Sequence, residues 1–317
     1  MSPDVHSILC KKENAHEEPI YSCAWSRIKP TGDTKETTKD FVVTGGLDGI
    51  VKVWHDHSNQ LKLVHELQGH CMAVISIAIS PDGHTIATTS LDSTMIIWEL
   101  TSGNNVHEIH SEDTDMWQVS FSPDGTHIVT GSHNGRLTIY NIETKQPKRT
   151  FDTRGLSVLC VAWSNDDKHI ACGSVDGNVC IFKVSQGKLL HTVEAHMETV
   201  RSVCFSPNSQ LLVTASNDGF VKLFDVASAN ELCKMDLTTW VLSARFTPDG
   251  GRIAAAAANG SVTIILLESF KALYTFKEHT GIVWDAHFNA GGNKLVSVSK
   301  DKAIIVYKSP RPQKPAK

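Results

Sequence analysis

Three regularities predict an all-β chain of seven four-stranded blades closed into a ring. A Phe-Ser-Pro-Asp-Gly phrase, whole at Phe121 to Gly125, recurs with its first position at Trp25, Ile79, Phe121, Trp163, Phe205, Phe246 and Phe288, in steps of 54, 42, 42, 42, 41 and 42 residues. A turn residue, mostly followed by Gly, recurs in phase at Asp48, Asp92, Asn134, Asp176, Asp218, Asn259 and Asp301. Between these marks the residues alternate apolar and polar, the period-2 pattern of strands.

The fifth repeat shows the elements in order. Val200 to Phe205 alternates as a first strand, and Pro207-Asn208-Ser209 turns the chain. Leu211 to Ala215 is the second strand, Asn217-Asp218-Gly219 a hairpin turn, and Phe220 to Phe224 the third strand. An apolar segment such as Leu189 to Val193 precedes each repeat as a fourth, outer strand. The repeats fall near 16–54, 70–98, 112–140, 154–182, 196–224, 237–265 and 279–307, within a single unit 1–309 followed by a short tail, 310–317.

Counting then predicts how the ring closes. Seven sets of three inner strands have only six fourth-strand segments between them, and the chain after Tyr307 is too rich in Pro and Lys for a strand. Val5 to Cys10 is therefore expected to complete the last blade from the N-terminal side. The extra residues of the first step, Ser26 to Asp40, are polar and read as a mobile loop on the bottom face.

Composition narrows the function. The 317 residues are 41% hydrophobic and 20% charged, enough for a substantial core. Thirty Lys and Arg against 34 Asp and Glu give a net charge of −4, which argues against direct nucleic-acid binding. None of the eight cysteines is spaced as CxxC and most lie in apolar runs, as expected of free thiols in a reducing compartment. The start, MSPDVHSILCKK, has no secretory apolar region, and the longest apolar stretch, Ile253 to Leu267, is broken by Asn259, Gly260 and Ser261, so no membrane span is expected. The densest histidine clusters, His55-Asp56-His57 and His107 to His110, match no metal-site spacing, and no P-loop is present; no metal or cofactor is expected.

Period and columns together resemble the WD-repeat β-propeller, here an all-β, seven-bladed form with its last blade closed by the N-terminal strand. Propellers of this kind carry a hydrogen-bonded tetrad in which Asp binds His, His meets a hydroxyl, and the hydroxyl meets a Trp N–H. His16, Thr44, Asp48 and Trp54 supply all four members in blade one, and His70, Thr88, Asp92 and Trp98 in blade two. Blade five carries His196, Thr214 and Asp218, and blade seven His279, Ser297 and Asp301, each with a Phe or Tyr ring in place of Trp. A hydroxyl–His–Asp set invites a hydrolase reading. Recurrence in four blades, the absence of a G-x-S-x-G elbow, and the joint loss of His, hydroxyl and Trp in blade six (Leu237, Ala255, Ile265) point instead to structural networks and a non-enzyme.

Partners of such propellers bind the top face, where the inner strands begin. The column four before the Phe position should point there: Tyr21, Ile75, Trp117, Leu159, Arg201, Leu242 and Trp284. Trp240 and Leu47 extend it. The neighbouring column, from Ile20 to Val283, already supplies a core, so this ring is apolar beyond the need of packing. Tyr, Trp and a lone Arg are a protein-docking composition.

A sharper similarity runs from Asp152 to Val226, through DTRGLSVLCVAWS, IFKVSQGKLLHT and VRSVCFSPNSQLLVTASNDGFVKLFDV. This stretch resembles the WD-repeat protein 61 family. The resemblance implies a monomeric, non-catalytic scaffold found in nucleus and cytoplasm. Its implied assemblies are the superkiller complex, with a tetratricopeptide scaffold and an RNA helicase that feed mRNA to decay, and the polymerase-associated-factor complex of transcription elongation. Two other readings are weaker. A ubiquitin-ligase substrate receptor would show Trp-Asp-x-Arg after the third strand, and no repeat does. A modified-histone reader would need an acid in an aromatic cage, for which Asp115, Trp117 and Asp285 are the candidates.

Overall fold

A computed structural model of the protein describes residues 5–28, 38–110, 116–154 and 157–311. Residues 29–37, most of the connection expected to be a mobile loop, lie outside the described residues, as do Asp115 and the tail from 312. Among the described residues the chain forms seven four-stranded antiparallel sheets. Six of them are built from consecutive strands. In blade five these are Val200–Phe205, Leu211–Ser216, Phe220–Asp225 and Glu231–Asp236. The seventh takes Val283–Phe288, Lys294–Ser299 and Ile304–Lys308 and receives Ser7–Lys12 as its outer strand. The closing strand lies two residues later than Val5 to Cys10 but pairs antiparallel with Ile304–Lys308 as the counting requires, Ser7 opposite Lys308.

The inner strands stand side by side around a channel, each against the next, and the first meets the last. Packing between blades follows from size. Ile20, Val74, Met116, Val158, Val200, Val241 and Val283 are essentially without exposure. Val74, Val158 and Val200 each press on a glycine of the preceding blade, Gly45, Gly131 and Gly173, where an added Cβ would collide with a valine methyl. The hairpin turns need glycine for a different reason: Gly177 has φ +87°, and a Cβ there would overlap the His196 carbonyl.

Candidate functional site

Two polar networks hold the inner strands in place. The first is the tetrad. In blade one His16 Nδ1 lies 2.9 Å from Asp48 Oδ2, His16 Nε2 lies 2.8 Å from Thr44 Oγ1, and the Trp54 indole donates to that hydroxyl at 2.9 Å. Blade two repeats this with 3.3, 2.7 and 2.9 Å for His70–Asp92, His70–Thr88 and Trp98–Thr88. His196 joins Asp218 and Thr214 in blade five, and His279 joins Asp301 and Ser297 in blade seven. There the sequence pattern shows only a ring in the Trp column, whereas the Tyr307 hydroxyl is itself 3.2 Å from Ser297 Oγ and restores the fourth member. Burial lowers the pKa of His70 and His196 against the pull of their carboxylates. Burial would raise Asp301, but the His279 hydrogen bond and charge, with the Ala303 and Thr280 N–H groups, hold it at about 2.

The second network lies three residues before the Phe column, in a column the sequence reading passed over. Its side chains accept backbone N–H groups of the next blade. Ser22 Oγ accepts Ile77 N (3.0 Å), Ser76 accepts Val119 N (3.2 Å), Gln118 accepts Val161 N (2.9 Å) and Ser202 accepts Ala244 N (3.2 Å). Asp285 closes the circle across the chain ends. It accepts Cys23 N at 3.2 Å and takes hydroxyl hydrogen bonds from Ser22 and Ser243. The Ser, Ser, Gln, Cys, Ser, Ser, Asp sequence of this column, polar in all but one blade, was the available signal. Asp285 is thus part of the ring, with its oxygens already engaged by the Cys23 N–H and the Ser22 and Ser243 hydroxyls.

The channel mouth is shaped by a slip in every inner strand. The pairing of first and second strands shifts register at Tyr21, Ile75, Leu159, Arg201, Leu242 and Trp284, and across Trp117 and Gln118 in blade three. A bulge of this kind re-aims its extra residue. Here it turns a whole column of side chains away from the sheet and into the mouth.

Six of the predicted top-face residues, Tyr21, Ile75, Trp117, Arg201, Leu242 and Trp284, line one cavity of about 300 Å³. Leu91 and Leu159 line it too, with Arg245 and Asp285 at its polar floor. Tyr21 and Trp284 meet edge to face, ring centres 5.1 Å apart. Leu47 and Trp240 are not part of this cavity. They are 44% and 50% exposed, Leu47 on a hairpin turn and Trp240 on the connection entering blade six. Arg201 donates to Asn217 Oδ1 at 3.0 Å, and burial lowers its pKa. The indole N–H groups of Trp117 and Trp284 are buried and have no acceptor among the described residues. His287, deeper in the channel, is pushed down to about 4 by burial and by the Arg245 charge. Among the described residues, no group of three or more His, Cys, Asp or Glu side chains is placed to hold a metal ion.

Comparison with known proteins places these features in context. A family model described as IFT122 first beta-propeller matches residues 35–308, and one described as WD domain, G-beta repeat matches residues 8–55. The chain is similar to the WD repeat-containing protein SL1-17 of Schistosoma mansoni, 33% identical over 99 residues, covering 31% of either chain. It is similar to the WD repeat-containing protein VIP3 of Arabidopsis thaliana, 32% identical over 94 residues, covering 30% of this chain and 27% of that protein. Human WD repeat, SAM and U-box domain-containing protein 1 is 31% identical over 101 residues, covering 30% of this chain and 21% of its own. The chain thus spans less than a third of the length of each of these relatives.

Proposed function

From the premise that this chain belongs to the IFT122 first beta-propeller family of WD-repeat proteins, we propose that it is a non-catalytic scaffold that captures partner proteins at the channel mouth. One observation carries this reading. Seven bulged strands turn an apolar and aromatic ring out of the sheets and around a cavity of about 300 Å³, although the adjacent column already fills the core. That volume suits one or two partner side chains. An unsatisfied buried donor costs about 1–3 kcal/mol, so carbonyl acceptors of a partner segment would relieve Trp117 and Trp284. The exposed Leu47 and Trp240 would extend the contact.

The similarity of residues 152–226 to the WD-repeat protein 61 family supports a finer version. In it the partners are the tetratricopeptide scaffold and RNA helicase of the superkiller complex and the subunits of the polymerase-associated-factor complex. The protein would then enter these assemblies in both cytoplasm and nucleus, without touching nucleic acid itself. The test is affinity purification with mass spectrometry, comparing wild type with the Trp117→Ala/Trp284→Ala double variant after circular dichroism confirms that both fold. Wild type should recover these subunits and the variant lose them at least tenfold, on the order of 1.4 kcal/mol or more. Retention by a folded variant would move the site away from the mouth. Recovery of other proteins by wild type alone would keep the scaffold and discard the two complexes.

A further inference from the structure

Blade four lacks the tetrad and carries two facing thiols where blade three carries two threonines, Thr130 and Thr138, and each other blade a single hydroxyl. Cys172 holds the position occupied by Thr44, Thr88, Thr214 and Ser297 elsewhere, and it lies directly opposite Cys180 on the third strand. The pairing is unbroken on both sides, from His169–Lys183 to Gly173–Val179. The equivalent pairs in blades one, two, five and seven are Thr44–Lys52, Thr88–Ile96, Thr214–Lys222 and Ser297–Ile305. Cys180 Sγ lies 3.7 Å from Thr192 Oγ1. Both thiols line a groove of about 110 Å³ with Arg154, Ser174 and Asp176. That is space for a few water-sized molecules.

We propose that Cys180 and Cys172 form a peroxide-sensitive pair, Cys180 attacking and Cys172 resolving, that closes a disulfide between the second and third strands of blade four. The thiolate of Cys180 attacks one oxygen of hydrogen peroxide. An S–O bond forms, the O–O bond breaks, and hydroxide leaves to become water. The sulfur of Cys172 then displaces the oxygen from the Cys180 sulfenic acid. An S–S bond forms, the S–O bond breaks, and the Cys172 proton leaves with the second water. Two thiols are oxidised by two electrons and one peroxide is reduced to two waters.

The surroundings favour this order. The facing Cys172 side chain outweighs burial and holds the Cys180 thiol at about 7, while Cys180 and burial push Cys172 well up. Facing side chains across antiparallel strands have Cβ atoms roughly 4.5–5.5 Å apart, whereas a disulfide needs about 3.5–4.5 Å. Closure therefore draws the strands together and leaves a bond that thiols reduce readily. The turn Ser174 to Asn178, with Val175 exposed, starts two residues after Cys172 and ends two before Cys180, so its base tightens when the pair closes. None of this depends on the partner-binding reading.

The full-length chain, treated with equimolar hydrogen peroxide, acid-quenched and mapped by mass spectrometry after alkylation, tests the pair. Wild type should lose two hydrogens, about 2 Da, in a peptide linking Cys172 to Cys180, and dithiothreitol should restore them. In Cys172→Ser, a change that places the blade-seven hydroxyl there, the same dose should instead add oxygen at Cys180. Cys180→Ser should do neither while its melting curve stays that of a folded chain. Oxidation confined to the exposed Cys71 and Cys233, with Cys172 and Cys180 fully alkylated, would overturn the proposal. So would a disulfide mapped to any other pair.

Discussion

Blade two and blade six share a backbone plan and have opposite interiors. In blade two a single hydroxyl, Thr88, links His70 to Trp98, and Asp92 anchors the histidine. In blade six the same positions hold Leu237, Ala255, Asn259 and Ile265, and Ala255 and Ile265 pack with Val213 and Val241 of the surrounding core. Blade six is tied elsewhere. The buried Arg252 donates to the carbonyls of Ser309, Pro310 and Gly292 at 2.9, 2.9 and 2.6 Å, and Ser243 donates to Asp285 in the channel. The tetrad is therefore one way of bracing a blade and not a requirement of the fold. Blades that keep part of it satisfy the remainder locally: in blade three Thr130 donates to the Gly131 carbonyl, and in blade four Asp176 accepts from Ser174 and Asn178. A buried polar atom is satisfied or costly, so a lost partner is replaced by another polar group or the site turns apolar.

The largest expected effect tests the tie that both regions share through the channel. Asp285→Ala strips the acceptor from Cys23 N–H, Ser22 and Ser243 and leaves Arg245 without the facing carboxylate that raises its pKa against burial. It should destabilise the protein by about 3–5 kcal/mol in urea unfolding. A change under 1 kcal/mol would show that the ring closes without this link.

Next comes the hydroxyl itself. Thr88→Val should cost about 2–4 kcal/mol, because both His70 Nε2 and the Trp98 indole lose their buried partner at once. The reciprocal change sharpens the contrast. Ala255→Thr puts the tetrad hydroxyl into an apolar, fully buried site with no histidine or indole, and should destabilise by about 1–3 kcal/mol. If instead it stabilises, the apolar interior of blade six is not what excludes the network.

The smallest effect is in pH. With its pKa held at about 2 against an ordinary 3.8, Asp301 favours the fold in its charged form. Its contribution is whole above pH 3.8 and is lost as pH falls toward 2. His70 and His196 act at higher pH. Their lowered folded pKa means that the unfolded chain takes up protons first below 6.5, so stability declines from there as well. Unfolding midpoints measured across this range should fall in two stages, and Asp301→Asn should flatten the lower one. An unchanged lower stage would assign it to other carboxylates.

Much of the site was legible before any coordinates, because the residues repeat. A column in seven copies reveals its face, and Tyr21, Ile75, Trp117, Arg201, Leu242 and Trp284 were found in this way. Trp240 came from the position six before the Phe column and Leu47 from the position before the turn Asp; both lie on connecting segments outside the cavity, although Leu91, at the place of Leu47 in blade two, lines it. Asp285 was legible as an acid near the aromatic column, and it does line the mouth cavity, but its part in closing the ring was not. Its partner Cys23 is 262 residues away, and only ring closure brings them together.

The number of blades, the strands, the hairpin turns and the tetrads could be read from residue order, since these depend on alternation, turn chemistry and contacts repeated within about 40 residues. Tertiary structure alone decided three things. The bulges turn one column into the mouth, because a register slip is a property of two paired strands. Asp285 and Arg252 join regions distant in the chain, because closing the ring brings its ends side by side. Finally, the Tyr307 hydroxyl meets Ser297 while Thr130 donates to the Gly131 carbonyl and not to Tyr140 in the matching place, because only packing decides whether a hydroxyl reaches its partner.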